Sequence, residues 1–181
     1  MLIRNDDVAR CTDLKQFEIF CNICDKHGFK IIQCITPVGN VQFIDSKMTN
    51  EEIIEKAGNE LFIENKAVYD YLKSRNDLIS IHGLYHTHRP TLTELTYAKK
   101  YLEEWGFEPR YNTYPFNELS FDHDVLNLIT LPKSQRIEDY HRDAIPTDDI
   151  CYLHSWRYFH PKWYTIDMLD RTLGRIANAR G

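Results

Sequence analysis

Strand-like and helix-like segments take turns along almost the whole chain, and this alternation limits the fold more than any other feature. Leu2 to Arg4 predicts a first strand that ends near Asn5. Asp13 then stands as an N-cap before a helical run from Leu14, which His27-Gly28 closes. Phe29 to Ile35 predicts a second strand, ended by Thr36-Pro37, and Val38 to Ser46 a polar loop or small hairpin. Helical stretches follow from Thr49, with acids in the first turn, and over Ala67 to Arg75. Asp77 to Ile81 predicts a third strand. Thr91-Leu92-Thr93-Glu94 fits a capping box opening a helix that Gly106 stops after Trp105. Pro109 to Tyr114, Leu126 to Leu131 and Ile150 to Leu153 predict three more strands, with a helical stretch over Asn117 to Leu126. The closing helix runs from Thr165 to Ala177, with Ile166, Leu169, Leu173 and Ile176 on one stripe. Such a pattern predicts an α/β protein with a mainly parallel sheet, open or rolled into a barrel. In these sheets, sites gather at the carboxyl ends of the strands.

The 181 residues predict one domain over 1–181, with no repeat and no Ser/Gly linker. Acids outnumber Lys and Arg by 27 to 22, which gives a formal charge of −5. A general nucleic-acid partner is therefore not expected, because phosphate binding needs a basic face. No apolar run approaches the roughly 20 residues of a membrane span. The first residues lack the order of a signal peptide. The expectation is a soluble, cytoplasmic protein without membrane or nucleic-acid partners; the sequence does not fix its oligomeric state. Five cysteines, an odd number in such a chain, do not predict a disulfide framework. Cys21 and Cys24 have no second pair to complete a zinc ribbon, so a buried helix face is expected for them.

Four segments carry candidate chemistry. Asp6 and Asp7 follow the first strand, where the turning backbone can bring both carboxylates to one pocket, one as metal ligand and one as base. An Asp pair can equally well start a loop. His82 and His86 follow the third strand four residues apart, and Gly83 lets the chain leave the strand close to a ligand. His88 is a candidate extra ligand or a solvated group. His154 follows the sixth predicted strand and can donate a proton near neutrality, or simply pack. Tyr114-Pro115-Phe116-Asn117 can wall a pocket and aim backbone N–H groups at an oxyanion, or form an ordinary X-Pro turn. An Asp with two His is a common set for a divalent metal with open positions. With a free Asp and His beside it, the set describes a metal-assisted hydrolase.

Arg4-Asn5-Asp6-Asp7-Val8, His82-Gly83-Leu84-Tyr85-His86, Pro115-Phe116-Asn117 and Leu153-His154 resemble, in order, the motifs of the polysaccharide deacetylase superfamily, the NodB-homology or carbohydrate esterase family 4 group. The match is to divergent members with an HGxxH second motif. The resemblance implies a distorted (β/α) barrel with seven or fewer mainly parallel strands. It also implies Asp6 as general base, His154 as general acid, and Asp7, His82 and His86 as ligands of one divalent ion. Zinc is the ion expected first, with cobalt, iron and nickel as alternatives. Arg4, Tyr114, Pro115, Phe116, Asn117 and Trp156 are the expected substrate-binding residues, with the backbone N–H near Phe116 at the oxyanion.

Two departures stand out. The family's third-motif arginine is replaced by Tyr114, with Arg110 or Arg4 as candidate substitutes. The acid that orients His154 is not evident, with Asp148 and Asp149 as candidates. The run from Trp156 to Tyr164 is rich in aromatic rings that stack on sugars or pack into a core. His123 and His141, set among acids, are expected on the surface. The implied function is metal-dependent deacetylation of an N-acetylated amino sugar in a polysaccharide or its precursor. The alternatives are a non-catalytic carbohydrate-binding relative and a metal hydrolase of another amide or ester.

Overall fold

The computed structural model describes residues 1–41, 44–118, 121, 124–141, 145–160, 162 and 164–180. His123, Asp122 and Asp143 lie outside them. Strands are β1 (Leu2–Val8), β2 (Lys30–Ile35), β3 (Leu78–Ile81), β4 (Pro109–Asn112), β5 (Ile129–Thr130), β6 (Gln135–Arg136) and β7 (Ile150–Leu153). Helices are α1 (Leu14–Lys26), α2 (Asn50–Ala57), α3 (Lys66–Ser74), α4 (Leu92–Glu104) and α5 (Ile166–Arg180). The strands form one sheet in the order β5-β4-β3-β2-β1-β7-β6. The pairs β1/β7, β3/β4, β4/β5 and β6/β7 are all parallel. The fold is the expected α/β class, a distorted (β/α) barrel of seven strands. Among the described residues no helix is long and apolar enough to cross a membrane.

Local chemistry sets most boundaries. Asp13 caps α1 by accepting from the Gln16 N–H, and Gly28 takes the left-handed turn after it at φ 72°. Thr49 and Thr91 both form full capping boxes, with Glu52 and Glu94.

The expected helix over 117–126 does not form among its described residues. Phe116, Asn117, Leu126 and Asn127 all have φ between 53° and 60°, which a right-handed helix cannot contain. The same left-handed pair at Leu126 and Asn127 shortens the fifth strand to Ile129–Thr130. β6 was not expected; two residues are too few for a periodic signal. The first strand runs on to Val8, past the acids read as its end.

Backbone contacts divide the chain into two compact units. The first holds 1–6, 13–32 and 134–181; the second holds 7–12 and 33–133. In the first, α1 buries Phe17, Phe20, Cys21 and Cys24, and α5 buries Leu169, Leu173 and Ile176. Cys21 and Cys24 thus form the buried helix face expected of them. α1 and α5 come close at Gly174, where a Cβ would stand 2.9 Å from the His27 ring. Asp170 accepts from Lys26 and stands 2.7 Å from His27 Nε2, and these hydrogen bonds hold its carboxyl below the ordinary range. In the second unit, Phe62 is wholly buried beside Trp105 and Phe107, and Tyr69 meets Phe107 edge-on.

His141 is not the surface residue expected from its acidic neighbours. It is half-buried, with Nδ1 2.9 Å from Thr172 Oγ1 and Nε2 3.3 Å from the Tyr158 hydroxyl. Burial is the main cause that holds its pKa below the ordinary 6.5. The unfolded chain therefore takes the proton first. The stability this group contributes is whole above about pH 6.5 and is lost as pH falls through that value toward the folded pKa. His141→Gln is expected to flatten the decline of urea-unfolding stability between about pH 7.5 and 5.5. Equal slopes for both proteins would contradict this.

Candidate metal centre

β1 delivers two consecutive acids to different surroundings. In the first unit, Arg4 and Asp6 lie two apart on one face of the strand. Arg4 Nε donates to Asp6 Oδ1 and Nη2 to Oδ2, both at 2.8 Å, with the residues 1% and 4% exposed. This two-pronged pairing is among the stronger charge-assisted geometries. The guanidinium also lies 4.8 Å from the centre of the Tyr152 ring. Arg4 is thus the arginine that meets the first acid, whereas Arg110 is exposed on β4. Neighbouring Asn5 accepts from the Ser155 N–H.

β7 pairs with β1 so that Leu153 sits opposite Asn5. Asp6 and His154 therefore each follow a paired residue on adjacent parallel strands. His154 meets neither Asp148 nor Asp149. Asp148 accepts from the Gln135 N–H, and the side chain of Asp149 is fully exposed near Arg180. The acid facing His154 is Glu138, in a 3-10 turn over Ile137–Tyr140. Its buried Oε1 accepts from the His154 N–H at 3.2 Å and stands 3.5 Å from Nδ1. Nothing in the sequence marked Glu138, which lies 16 residues away in a turn without periodicity. Trp156 is half-buried and edge-on to His154 at 6.1 Å, with the Arg157 guanidinium 5.4 Å from the centre of its ring.

The second unit begins at Asp7, where φ is +68°. Asp tolerates this left-handed turn better than most residues. His82 follows β3, and the chain then turns through Gly83 at φ 72° and His86 at φ 63°. A Cβ on Gly83 would stand 3.1 Å from Pro115 Cγ, so the position suits glycine in space as well as in conformation. The loop is held from outside. Its Leu84 carbonyl accepts from the Val38 N–H, Asn50 bonds both backbone groups of His88, and Thr87 donates to Glu94 of the α4 capping box.

These constraints bring Asp7, His82 and His86 together. Asp7 Oδ1 lies 2.8 Å from His86 Nε2 and 3.4 Å from His82 Nε2. One ligand atom of each residue lies within 4.8 Å of the others, and all three side chains are less than a tenth exposed. The Thr113 hydroxyl donates to the Ile81 carbonyl, so its oxygen is left to accept from His82 Nδ1 at 3.0 Å. His82 then presents the Nε2 lone pair to a carboxylate oxygen. Acceptor facing acceptor in a buried place is unfavourable unless a cation lies between them. The donor set, two imidazole nitrogens and a carboxylate, suits zinc and its first-row neighbours.

Of the remaining expected residues, Phe116 and Pro115 pack beside this cluster and its loop. Phe116, at φ 54°, stands edge-on to His86 at 4.7 Å and stacks on His88 at 4.2 Å. His88 is held by Glu118 at 3.1 Å. Pro115 covers Gly83, Asn117 is half-buried, and Tyr114 is buried with its hydroxyl pKa raised by that burial.

The second unit thus holds a buried Asp/His/His cluster whose donor atoms could take a metal ion. Solved structures sharpen the fold. One is a carbohydrate esterase family 4 pseudoenzyme from Bacillus anthracis, with TM-score 0.63, 13% identity, and coverage of 99% of this chain and 60% of that one. Another is a family 4 acetyl xylan esterase from Clostridium thermocellum in complex with a cobalt ion, with TM-score 0.59, 13% identity, and coverage of 99% and 84%. A third is a peptidoglycan deacetylase from Bacillus subtilis, with TM-score 0.58, 10% identity, and coverage of 98% and 83%. The chain thus spans about 60% of the length of the Bacillus anthracis protein. It shares the fold of these structures, the distorted (β/α) barrel that its motifs led one to expect. No family model and no curated protein matches the sequence.

Thr113→Val keeps the shape but removes the acceptor at His82 Nδ1. Zinc affinity is expected to fall about 10- to 100-fold, read by competition with a chromophoric chelator. Unchanged affinity would show that Thr113 does not set the tautomer.

Proposed function

We propose that the protein is a metal-dependent hydrolase that removes an acetyl group from an N-acetylated amino sugar, in a polysaccharide or its precursor. The observation that carries this reading is the buried Asp7–His82–His86 cluster, with the His82 tautomer fixed by Thr113. A divalent ion there, zinc in our reading, would supply Lewis acidity, lowering the pKa of water toward neutrality and polarising a carbonyl oxygen.

The chain's own residues supply the rest. Asp6, oriented by Arg4, accepts the proton of the attacking water. Attack on the acetyl carbon gives a tetrahedral centre, and the backbone N–H near Phe116 donates to its oxyanion. His154 gives a proton to the departing nitrogen as the C–N bond breaks, which leaves acetate and a free amine. Glu138 beside Nδ1 favours the imidazolium form, whose Nε2 carries that proton. Tyr114, Pro115, Asn117 and Trp156 belong to the substrate-facing segments, and Trp156 offers a face to a sugar ring.

A second reading is a carbohydrate-binding relative without turnover. It draws support from the pseudoenzyme among the structural neighbours. A binder, however, needs neither an arginine-held base nor a glutamate-held acid.

Acetate release from chito-oligosaccharides and acetylated sugar nucleotides separates the two. The zinc-loaded protein is expected to release acetate, and Asp6→Asn to lose at least about a hundredfold in kcat with metal content unchanged. Full activity in Asp6→Asn would remove Asp6 as base. No release by wild type from either substrate class, with metal bound, would favour the binding reading.

A further inference from the structure

A small pocket in the first unit lies between the end of the Ile137–Tyr140 turn and α5. Its lining is His141, Met168, Arg171, Thr172 and Arg175, and its volume is about 220 Å³. Arg171 and Arg175 are one helical turn apart, so their guanidinium groups share a face of α5. Like charges in this arrangement repel, and other helices of the chain avoid the problem. Lys66 pairs with Asp70, Lys99 with Glu103 and Lys100 with Glu104, each four residues on. Neither Arg171 nor Arg175 has a carboxylate within ion-pair distance among the described residues. In a chain of net charge −5, a cavity whose described lining holds two arginines and no acid is a local exception.

The pocket is also built rather than incidental. Arg175 Nη2 donates to the Tyr140 carbonyl, which fixes that guanidinium against the turn. Arg171 Nε donates to the Asp167 carbonyl on its own helix. Each spends one of five N–H donors on backbone, and the fork geometry of those that remain matches an oxyanion. Thr172 is 3% exposed, and its hydroxyl is held 2.9 Å from His141 Nδ1. His141 in turn rests against Tyr158 and Tyr164, at 5.5 and 4.8 Å between rings. Burial is the main cause that lowers the His141 pKa, with Glu138 and Asp139 acting against it, and the permanently charged side chains of the lining are Arg171 and Arg175. The volume is below the ~300–1,000 Å³ of sites for drug-sized ligands, and suits a phosphate group with little attached.

We propose that this pocket binds a phosphate group, either as inorganic phosphate or as the phosphoryl end of a phosphomonoester. The proposal is independent of the deacetylase reading.

The test is calorimetric titration of the full chain with inorganic phosphate, in wild type and in Arg171→Gln. Arg171 is exposed and bonds only to its own helix, so this variant is expected to keep the wild-type melting temperature. Saturable binding in wild type, weakened at least about tenfold in the variant, is the expected result. Arg175→Gln gives the same loss, tested by the same titration. Phosphate held at the Asp7–His82–His86 cluster would not respond to Arg171. Absence of saturation by about 50 mM, or equal affinity in wild type and Arg171→Gln, would overturn the proposal. A parallel titration with a hexose monophosphate separates the sources. Binding that is equally sensitive to Arg171 assigns the pocket to phosphomonoesters, and binding of inorganic phosphate alone assigns it to the free ion.

Discussion

A buried charge persists in a fold only with a partner, and β1 carries three polar side chains into the interior in succession. Arg4, Asn5 and Asp6 are each 4% exposed or less. The strand forms because each has an answer nearby: Arg4 and Asp6 meet two-pronged, and Asn5 bonds the Ser155 backbone. Removing one member of such a pair costs about 3–5 kcal/mol, because it strands the other in a dry place. A hydrophobic strand would be cheaper to fold. The costlier one persists here with the Asp6 carboxylate held in a fixed orientation by Arg4.

Backbone strain marks the same segments. In the second unit, the residues with left-handed φ values include Asp7 near the end of β1, Gly83 and His86 in the loop after β3, and Phe116 and Asn117 in the loop after β4. For non-glycine residues this conformation costs of order 1–3 kcal/mol each and survives where surrounding contacts enforce it. Those contacts are visible: Asn50 on the His88 backbone, Thr87 on Glu94, Pro115 on Gly83, Phe116 against His86 and His88. Consecutive residues on an extended chain face opposite ways, and accordingly Asp6 meets Arg4 while Asp7 meets two histidines.

Much of this was legible in the sequence, and the exceptions have physical causes. Helices with strong end signals were read to within a residue or two, as at Asp13, Thr49 and Thr91, because capping is local chemistry. That Asp7, His82 and His86 come together was legible from residue type and from position after predicted strands. β1 was cut short because polarity was taken as a strand end, whereas Arg4 and Asp6 are paired inside. Left-handed residues without glycine, at Phe116, Asn117, Leu126 and Asn127, gave no signal and undid the helix expected there. Glu138 and the burial of His141 depend on tertiary packing around α5 and β7, which no local pattern encodes.

The central claim is that Asp7, His82 and His86 hold one divalent ion. Crystals grown with zinc, with anomalous diffraction collected on both sides of the zinc edge, test it most directly. The account predicts one strong anomalous peak at about 2.0–2.2 Å from an Asp7 carboxylate oxygen and both Nε2 atoms. A map without a peak there, or with zinc bound only elsewhere, would contradict it and leave the three residues as a hydrogen-bonded structural cluster.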